Sequence, residues 1–186
     1  TDPIERLFIQ WGFSQVFPAK TMCAHVTTWN KNSSVKFRTD VAMMCKLGFD
    51  IKLADMSKDD ETYCRTAVQN YNRLKPVVLE GDMYRLVSPY GSNHTSTMYV
   101  GKDKDKAVVF AFDIHPRYAE KILPVRLQGL DADKMYRVKE INLMPGANSS
   151  LSGNGEVFSG EFLMNVGLNL FTAQQLNSRV IEVVAE

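Results

Sequence analysis

Hydrophobic residues recur at helical spacing in the first turns of the chain, on a face formed by Ile4, Leu7, Phe8 and Trp11. Asp2 precedes this run as a candidate N-cap, Pro3 takes the favoured first helical position, and Glu5 lies where a capping-box acid reaches back. The pattern therefore predicts a helix that begins directly after Asp2.

A short apolar segment at residues 21–27 follows and is typical of a buried parallel strand. From Phe37 the spacing turns helical again as far as Leu47, and Gly48 is well placed to end that helix. This interpretation leaves the strand without a partner nearby. Because a lone strand cannot satisfy its backbone hydrogen bonds, its partners are expected to lie elsewhere.

A third helix is predicted to begin after Ser57 and to end at Pro76. Its buried face is expected to carry Tyr63, Ala67, Tyr71 and Leu74. The acidic residues 59–61 are interpreted as a favourable helix N-terminus rather than as metal ligands.

From about residue 82 the hydrophobic pattern changes to alternation, which is typical of β-strands. Residues 107–114 form the clearest case and predict a central strand, and further strands are predicted around 84–87, 98–100, 123–127, 136–138 and 181–183. The predicted fold class is α+β: a helical remnant at residues 1–80, followed by an antiparallel β-sandwich at residues 81–186.

Composition restricts the partners of this chain. The sequence is 45% hydrophobic and 23% charged with a formal net charge of +1, which favours neither nucleic acid nor an anionic membrane. No apolar run approaches the roughly 20 residues of a membrane-spanning helix. The three cysteines have neither zinc-finger nor redox spacing and are expected to be buried as small hydrophobic residues.

Several segments resemble one enzyme family, the alpha-galactosidases of glycoside hydrolase family 36. Residues 1–12 resemble the segment after the seventh strand of the family's (β/α)8 barrel, and residues 18–27 resemble the eighth strand. The run Arg-Thr-Asp-Val-Ala-Met at 38–43 is similar to the start of the last barrel helix. Residues 81–89 and 159–168 are similar to the C-terminal β-domain, so the resemblance covers nearly the whole chain.

The resemblance implies a retaining enzyme that removes terminal alpha-linked galactose from oligosaccharides such as melibiose and raffinose. It implies no cofactor, a galactose-containing oligosaccharide as partner and a homo-oligomer. Retaining glycosidases use two carboxylates. In this family the nucleophile belongs to a Lys-Trp-Asp segment, which is missing here, and the acid/base would lie two positions before Thr1. The chain is therefore expected to carry no catalytic residue and to be inactive alone.

Residues close to substrate are expected at the carboxyl ends of the barrel strands. This reasoning selects Thr1, Asp2, His25, Thr27 and Trp29, with Trp29 able to stack on a sugar ring. For Asp2 the competing interpretation is a helix cap, and for His25 it is a core histidine.

The chain departs from the family pattern beside these positions. Cys23 replaces the usual glycine, and the loop at 28–32 replaces a Pro-Asn-His-Gln stretch, so the sugar preference is open. His94 and His115 are interpreted as loop residues without metal-site spacing. Two alternatives remain: a non-catalytic carbohydrate-binding or structural β-sandwich, and an alpha-N-acetylgalactosaminidase of similar fold.

Overall fold

Helices and strands alternate in the first half of the chain. The computed structural model describes residues 2–28 and 32–186. Its first elements are α1 (Pro3–Phe13), β1 (Cys23–Thr27), α2 (Val35–Ala42), β2 (Lys46–Asp50) and α3 (Lys58–Glu80). Asp2 caps α1 as predicted, because its Oδ1 accepts hydrogen bonds from the backbone of Ile4 at 2.8 Å and Glu5 at 3.3 Å.

The strand β1 has a partner within the chain. It pairs in parallel with β2, from Cys23 opposite Lys46 to Thr27 opposite Asp50. The predictions of an unpaired strand and of a helix reaching Leu47 were therefore wrong. The helix α2 ends at Ala42, and residues 46–50 form a second barrel-type strand. Consequently β1 is not the last barrel strand of the chain.

The helix α3 begins after Ser57 as predicted but does not end at Pro76. The hydroxyl of Ser57 caps the helix by accepting from the backbone of Asp60 at 3.1 Å. Pro76 lies inside the helix on its exposed side, where water can satisfy the carbonyl that loses its partner. Buried Leu74, Val77 and Val78 hold this part of the helix on the core, so packing outweighs the local preference.

The second half forms one antiparallel sheet of six strands. Its elements are β3 (Asp82–Val87), β4 (His94–Val100), β5 (Lys106–Asp113), β6 (Met135–Ile141), β7 (Val157–Ser159), α4 (Gly160–Asn165) and β8 (Asn177–Ala185). The strand order is β3-β4-β5-β8-β6-β7, which makes β5 central as predicted. The predicted strand at 123–127 is reduced to a single bridge between Val125 and Leu168.

The two faces of this sheet pack against different layers. Val108, Phe110 and Phe112 join the core formed with α2 and α3. Ala107, Val109 and Ala111 point the other way, into a second core closed by α4 and by the irregular segments that contain Leu127 and Leu170. The predicted alternation along β5 and the succession of a helical part and an antiparallel β-domain are confirmed. The boundary near residue 80 stays a prediction.

The first helix packs on the β-domain. The rings of Phe8 and Tyr90 meet edge to face at 5.2 Å, and the guanidinium of Arg85 donates to the carbonyl of Ser14 at 3.2 Å. Across residues 2–28 and 32–186, no helix has the length and apolar character needed to cross a lipid bilayer.

Candidate active site

The side chains of β1 separate into a buried row and an open row. Ala24 and Val26 are buried in the core shared with α2. Cys23 and His25 point to the opposite, exposed face, and Thr27 is half-buried. In a parallel barrel this face is the inner one, because the helices cover the outer face. Within residues 2–28 and 32–186 His25 is exposed on this inner face, and its role as a core histidine or a substrate ligand stays a prediction.

His25 lies directly over Gly48 of the neighbouring strand. A Cβ atom at position 48 would come within 2.4 Å of the His25 Cδ2 atom, so only glycine leaves room for the imidazole. This contact explains why glycine occupies this position of β2, although the sequence pattern suggested the end of a helix. It also fixes the position of His25 on the open face.

Thr27 ends β1 at the edge where an active site of this architecture forms. Its backbone carbonyl accepts a hydrogen bond from the Arg38 guanidinium, and Arg38 Nε also donates to the carbonyl of Ser34 at 3.4 Å. Burial lowers the pKa of Arg38. Arg38 therefore ties the end of β1 to the start of α2 and holds the ends of the loop between them.

The other predicted site residues are placed differently. Asp2 is half-buried and its Oδ1 caps α1, which agrees with the structural interpretation of this residue. Thr1 and Trp29 lie outside the described residues, so their proximity to substrate stays a prediction. The structure therefore brings His25 and Thr27 together on β1.

A buried carboxylate that the sequence did not single out joins the two halves of the chain. Asp40 has no exposed surface. Its oxygens accept hydrogen bonds from four donors: Lys36 Nζ at 2.5 Å, the Tyr63 hydroxyl at 2.7 Å, Ser178 Oγ at 2.7 Å and Asn142 Nδ2 at 3.0 Å. Burial raises the pKa of Tyr63 well above its usual value, and the negative charge of Asp40 adds to this effect.

The sequence contained an indication that Asp40 is buried, within the segment 38–43 that is similar to the start of the last barrel helix. An aspartate between apolar helix positions, here Phe37 and Val41, has to be paired if the face is buried. The sequence could not supply its partners, because Asn142 and Ser178 lie more than a hundred residues away.

A second buried network lies at the start of β4. His94 is 4% exposed, so its prediction as a loop histidine was wrong. Its Nδ1 lies 2.7 Å from Oδ1 of Asp113, and Oδ2 of Asp113 accepts from the Thr172 hydroxyl at 2.7 Å. These bonds fix the segment that leads into β8.

The described part of the chain has no metal-ligand cluster, and two of its three thiols are poorly reactive. No group of three or more potential metal ligands occurs there. Cys45 is buried, Cys64 is half-buried and Cys23 is exposed, which corrects the expectation that all three lie in the core. Burial raises the pKa of Cys45 to about 12 and that of Cys64 to about 11, which makes both thiols poor nucleophiles.

Comparison with known proteins assigns both halves of the chain. Residues 1–81 match the family model for melibiase, and residues 94–183 match the model for the glycosyl hydrolase family 36 C-terminal domain. Alpha-galactosidase 2 of Hypocrea jecorina is 34% identical over 187 residues, which cover 97% of this chain and 23% of that protein.

Solved structures agree with these matches. Two are alpha-galactosidase AgaA variants from Geobacillus stearothermophilus: a complex with stachyose (TM-score 0.87, 28% identity) and a complex with raffinose (TM-score 0.86, 26% identity). Each match covers 100% of this chain and 25% of the other. The chain thus spans about a quarter of the length of these relatives. Its sequence and fold both place it in glycosyl hydrolase family 36, where it corresponds to the C-terminal portion of an alpha-galactosidase.

Proposed function

We propose that the protein containing this chain is a retaining alpha-galactosidase that removes terminal alpha-linked galactose from oligosaccharides. The observation that carries the proposal is the parallel pair of β1 and β2, in which His25 lies on the inner face of β1, two residues before the carboxyl end where an active site is expected. The substrate class is supported by relatives crystallised with raffinose and stachyose.

The two carboxylates of the reaction are proposed to lie outside residues 1–186. A retaining mechanism needs them about 5 Å apart, one as the nucleophile that forms the glycosyl-enzyme and one as the acid/base. By the resemblance, the acid/base is expected two positions before Thr1 and the nucleophile on an earlier strand. Residues 1–186 alone are therefore proposed to be inactive.

The residues of this chain bind and orient the sugar in this proposal. The His25 imidazole hydrogen-bonds a sugar hydroxyl from a position that Gly48 keeps open. Thr27 contributes at the carboxyl end of the strand, which Arg38 anchors. Thr1, Asp2 and Trp29 complete the proposed set of substrate-proximal residues, with Trp29 stacking on the apolar face of a ring.

An assay of the whole protein tests this function. We expect hydrolysis of nitrophenyl alpha-galactoside and melibiose with retention of configuration, and much slower hydrolysis of nitrophenyl alpha-N-acetylgalactosaminide. The variant His25→Ala is expected to lower kcat/KM by about 10- to 100-fold, the loss of one or two substrate hydrogen bonds. Asn72→Ala, which alters an exposed residue of α3, is the matched control. Hydrolysis by residues 1–186 alone would contradict the placement of both carboxylates.

A homo-oligomer remains part of the proposal. The segment after α1 exposes apolar surface: Val16 is 77% exposed, and the stacked rings of Phe13 and Phe17 are 41% and 47% exposed. Apolar patches of this kind mark contact surfaces, either with another part of the whole protein or with a second copy. Light scattering on the whole protein is expected to give a multiple of the monomer mass, and a monomer that does not change with concentration would exclude assembly.

A further inference from the structure

A polar cleft separates the barrel remnant from the β-domain. Its volume is about 710 Å3, within the range of small-molecule sites. One wall carries Ile4 at the start of α1 together with Asn32 and Ser34 before α2. The other wall carries His115, Gln174 and Gln175 of the β-domain. Nothing in the function proposed above uses this cleft.

The cleft opens on the same side as the proposed active site. In a (β/α)8 barrel the amino ends of the helices lie at the carboxyl ends of the strands, and the cleft borders the amino ends of α1 and α2. The expected acid/base precedes Ile4 by five residues. Five extended residues span at most about 18 Å, so the rim of the cleft lies within reach of an oligosaccharide bound at that carboxylate.

The chemistry of the walls suits a neutral ligand with many hydroxyl groups. Amide, hydroxyl and imidazole groups of the lining supply hydrogen-bond donors and acceptors. The one ammonium in the lining, that of Lys36, is paired with the buried carboxylate of Asp40 at 2.5 Å. The ammonium of Lys36 is therefore already neutralised by Asp40 rather than free to bind an anion.

The wall of the β-domain is held in place before any ligand arrives. Leu176 has a φ of 55°, a left-handed conformation that is unusual for a bulky residue, and its N–H donates to the carbonyl of Asp113 at 2.9 Å. Such strained positions cluster at binding sites. The backbone of Gln174 also donates to the Thr172 hydroxyl at 3.1 Å.

One amide of the wall is oriented by a side chain. Nε2 of Gln175 lies 2.9 Å from Nδ1 of His115. This contact holds the amide and the imidazole against each other. The wall therefore offers hydrogen-bonding groups of both side chains in a fixed arrangement.

We propose that this cleft is a distal subsite that binds the outer sugar rings of extended alpha-galactosides, with the β-domain supplying one of its walls. The inference rests on the proposed alpha-galactosidase function and extends it, because it makes the C-terminal domain part of substrate recognition. A disaccharide is too short to fill both the active site and the cleft, whereas a tetrasaccharide occupies both.

Comparison of chain lengths in the whole protein tests the subsite. The double variant Gln174→Ala/Gln175→Ala removes both amides from the exposed loop, and kcat/KM is measured for stachyose and for melibiose. We expect the value for the tetrasaccharide to fall at least fivefold more than the value for the disaccharide, mainly through KM. Gln69→Ala, an exposed glutamine of α3 far from the cleft in sequence, serves as matched control and is expected to leave the ratio of the two values unchanged.

The outcomes separate the two proposals. If the unmodified protein hydrolyses neither sugar nor nitrophenyl alpha-galactoside, the proposed function fails and takes the subsite with it. If it is active but the double variant changes both substrates in parallel, or changes neither, the function stands and the subsite is refuted. A selective loss for stachyose supports both.

Discussion

Tyr63 donates its hydroxyl proton to Oδ1 of Asp40 across 2.7 Å, and this bond joins α3 to α2 beneath the β-domain. The same carboxylate also accepts from Asn142 and Ser178, which follow or belong to strands of the sheet. A single charge therefore connects α2, α3, β8 and the residue that follows β6.

Substitution of this carboxylate is expected to destabilise the protein strongly. In Asp40→Asn one of the two acceptor oxygens becomes an NH2 group, which cannot accept from the donors on its side, and Lys36 loses its counter-charge. The expected loss is about 3 kcal/mol of unfolding free energy, as for a broken buried ion pair. Denaturant unfolding measures it.

The matched control is Asp82→Asn, which alters the exposed ion pair with Lys102. Exposed pairs contribute little, so its effect should stay within about 1 kcal/mol. Equal losses of unfolding free energy in the two variants would show that the buried network contributes no more than an exposed ion pair.

Gly48→Ala tests the contact with His25. The added Cβ requires the imidazole to move, at a cost of about 1–3 kcal/mol of unfolding free energy. The double variant with His25→Ala should recover part of this loss, because the clash is gone. Strictly additive effects would argue against direct contact.

Gly12→Ala is the control for this pair. A Cβ at position 12 would have its nearest neighbour, the Tyr90 hydroxyl, at 3.7 Å, which is an ordinary contact. Since Gly12 lies in α1, alanine should stabilise the helix by up to about 1 kcal/mol. The two glycine substitutions are thus expected to act in opposite directions.

The three cysteines should differ in reactivity toward a thiol reagent at pH 8. The pKa of Cys45 is raised to about 12 by burial and that of Cys64 to about 11, which leaves thiolate fractions of roughly one in ten thousand and one in a thousand. In residues 1–186 alone, where Cys23 is exposed, this thiol should react first. Mass spectrometry of the labelled peptides gives the order, and labelling of Cys45 before Cys23 in the folded protein would contradict it.

The raised pKa of Cys45 also predicts loss of stability in alkali. The folded protein holds the thiol protonated, whereas the unfolded chain releases the proton near the ordinary value of 9.0. Stability is therefore independent of this group below pH 9 and falls above it by about 1.4 kcal/mol per pH unit until the folded thiol ionises. In Cys45→Ala the unfolding free energy should fall less steeply with pH between pH 9 and 10. An unchanged slope would show that other groups cause the loss of stability.

Pro76→Ala should stabilise the protein, because an exposed proline inside α3 removes a helix hydrogen bond. Part of the gain is offset by the greater freedom of the unfolded chain, so about 1 kcal/mol is expected. Thermal unfolding measures it, with Lys75→Ala as the neutral neighbour. A loss of stability would mean that the helix needs a bend at this point.

Local patterns were sufficient to predict most of the β-domain and the helix starts. Asp2 and Ser57 are caps whose partners lie within three residues, and the alternation along β5 follows directly from its two covered faces. The strand β2 was missed because Gly48 is a common helix terminator. Glycine is needed at position 48 because the His25 ring of the neighbouring strand lies against it. A local sequence pattern contains no information about such a contact between strands.

The candidate site was predictable only in part for the same reason. The position of His25 at the carboxyl half of β1 followed from the resemblance, but its exposure depends on which face of β1 the helices cover. Asp40 and His94 are buried by partners distant in sequence, so nothing near them distinguishes a network from a surface charge or a loop.

The core beneath β5 belongs to both halves of the chain. Leu74 and Val78 of α3 share it with Phe110 and Val180 of the sheet. The chain changes from helix to sheet near residue 80, but the two parts share this core. The helical and β parts should therefore unfold together in one transition. A chimera that exchanges β-domains between relatives therefore has to include α3. Without this helix, the apolar face of the sheet that packs against it would be exposed to solvent.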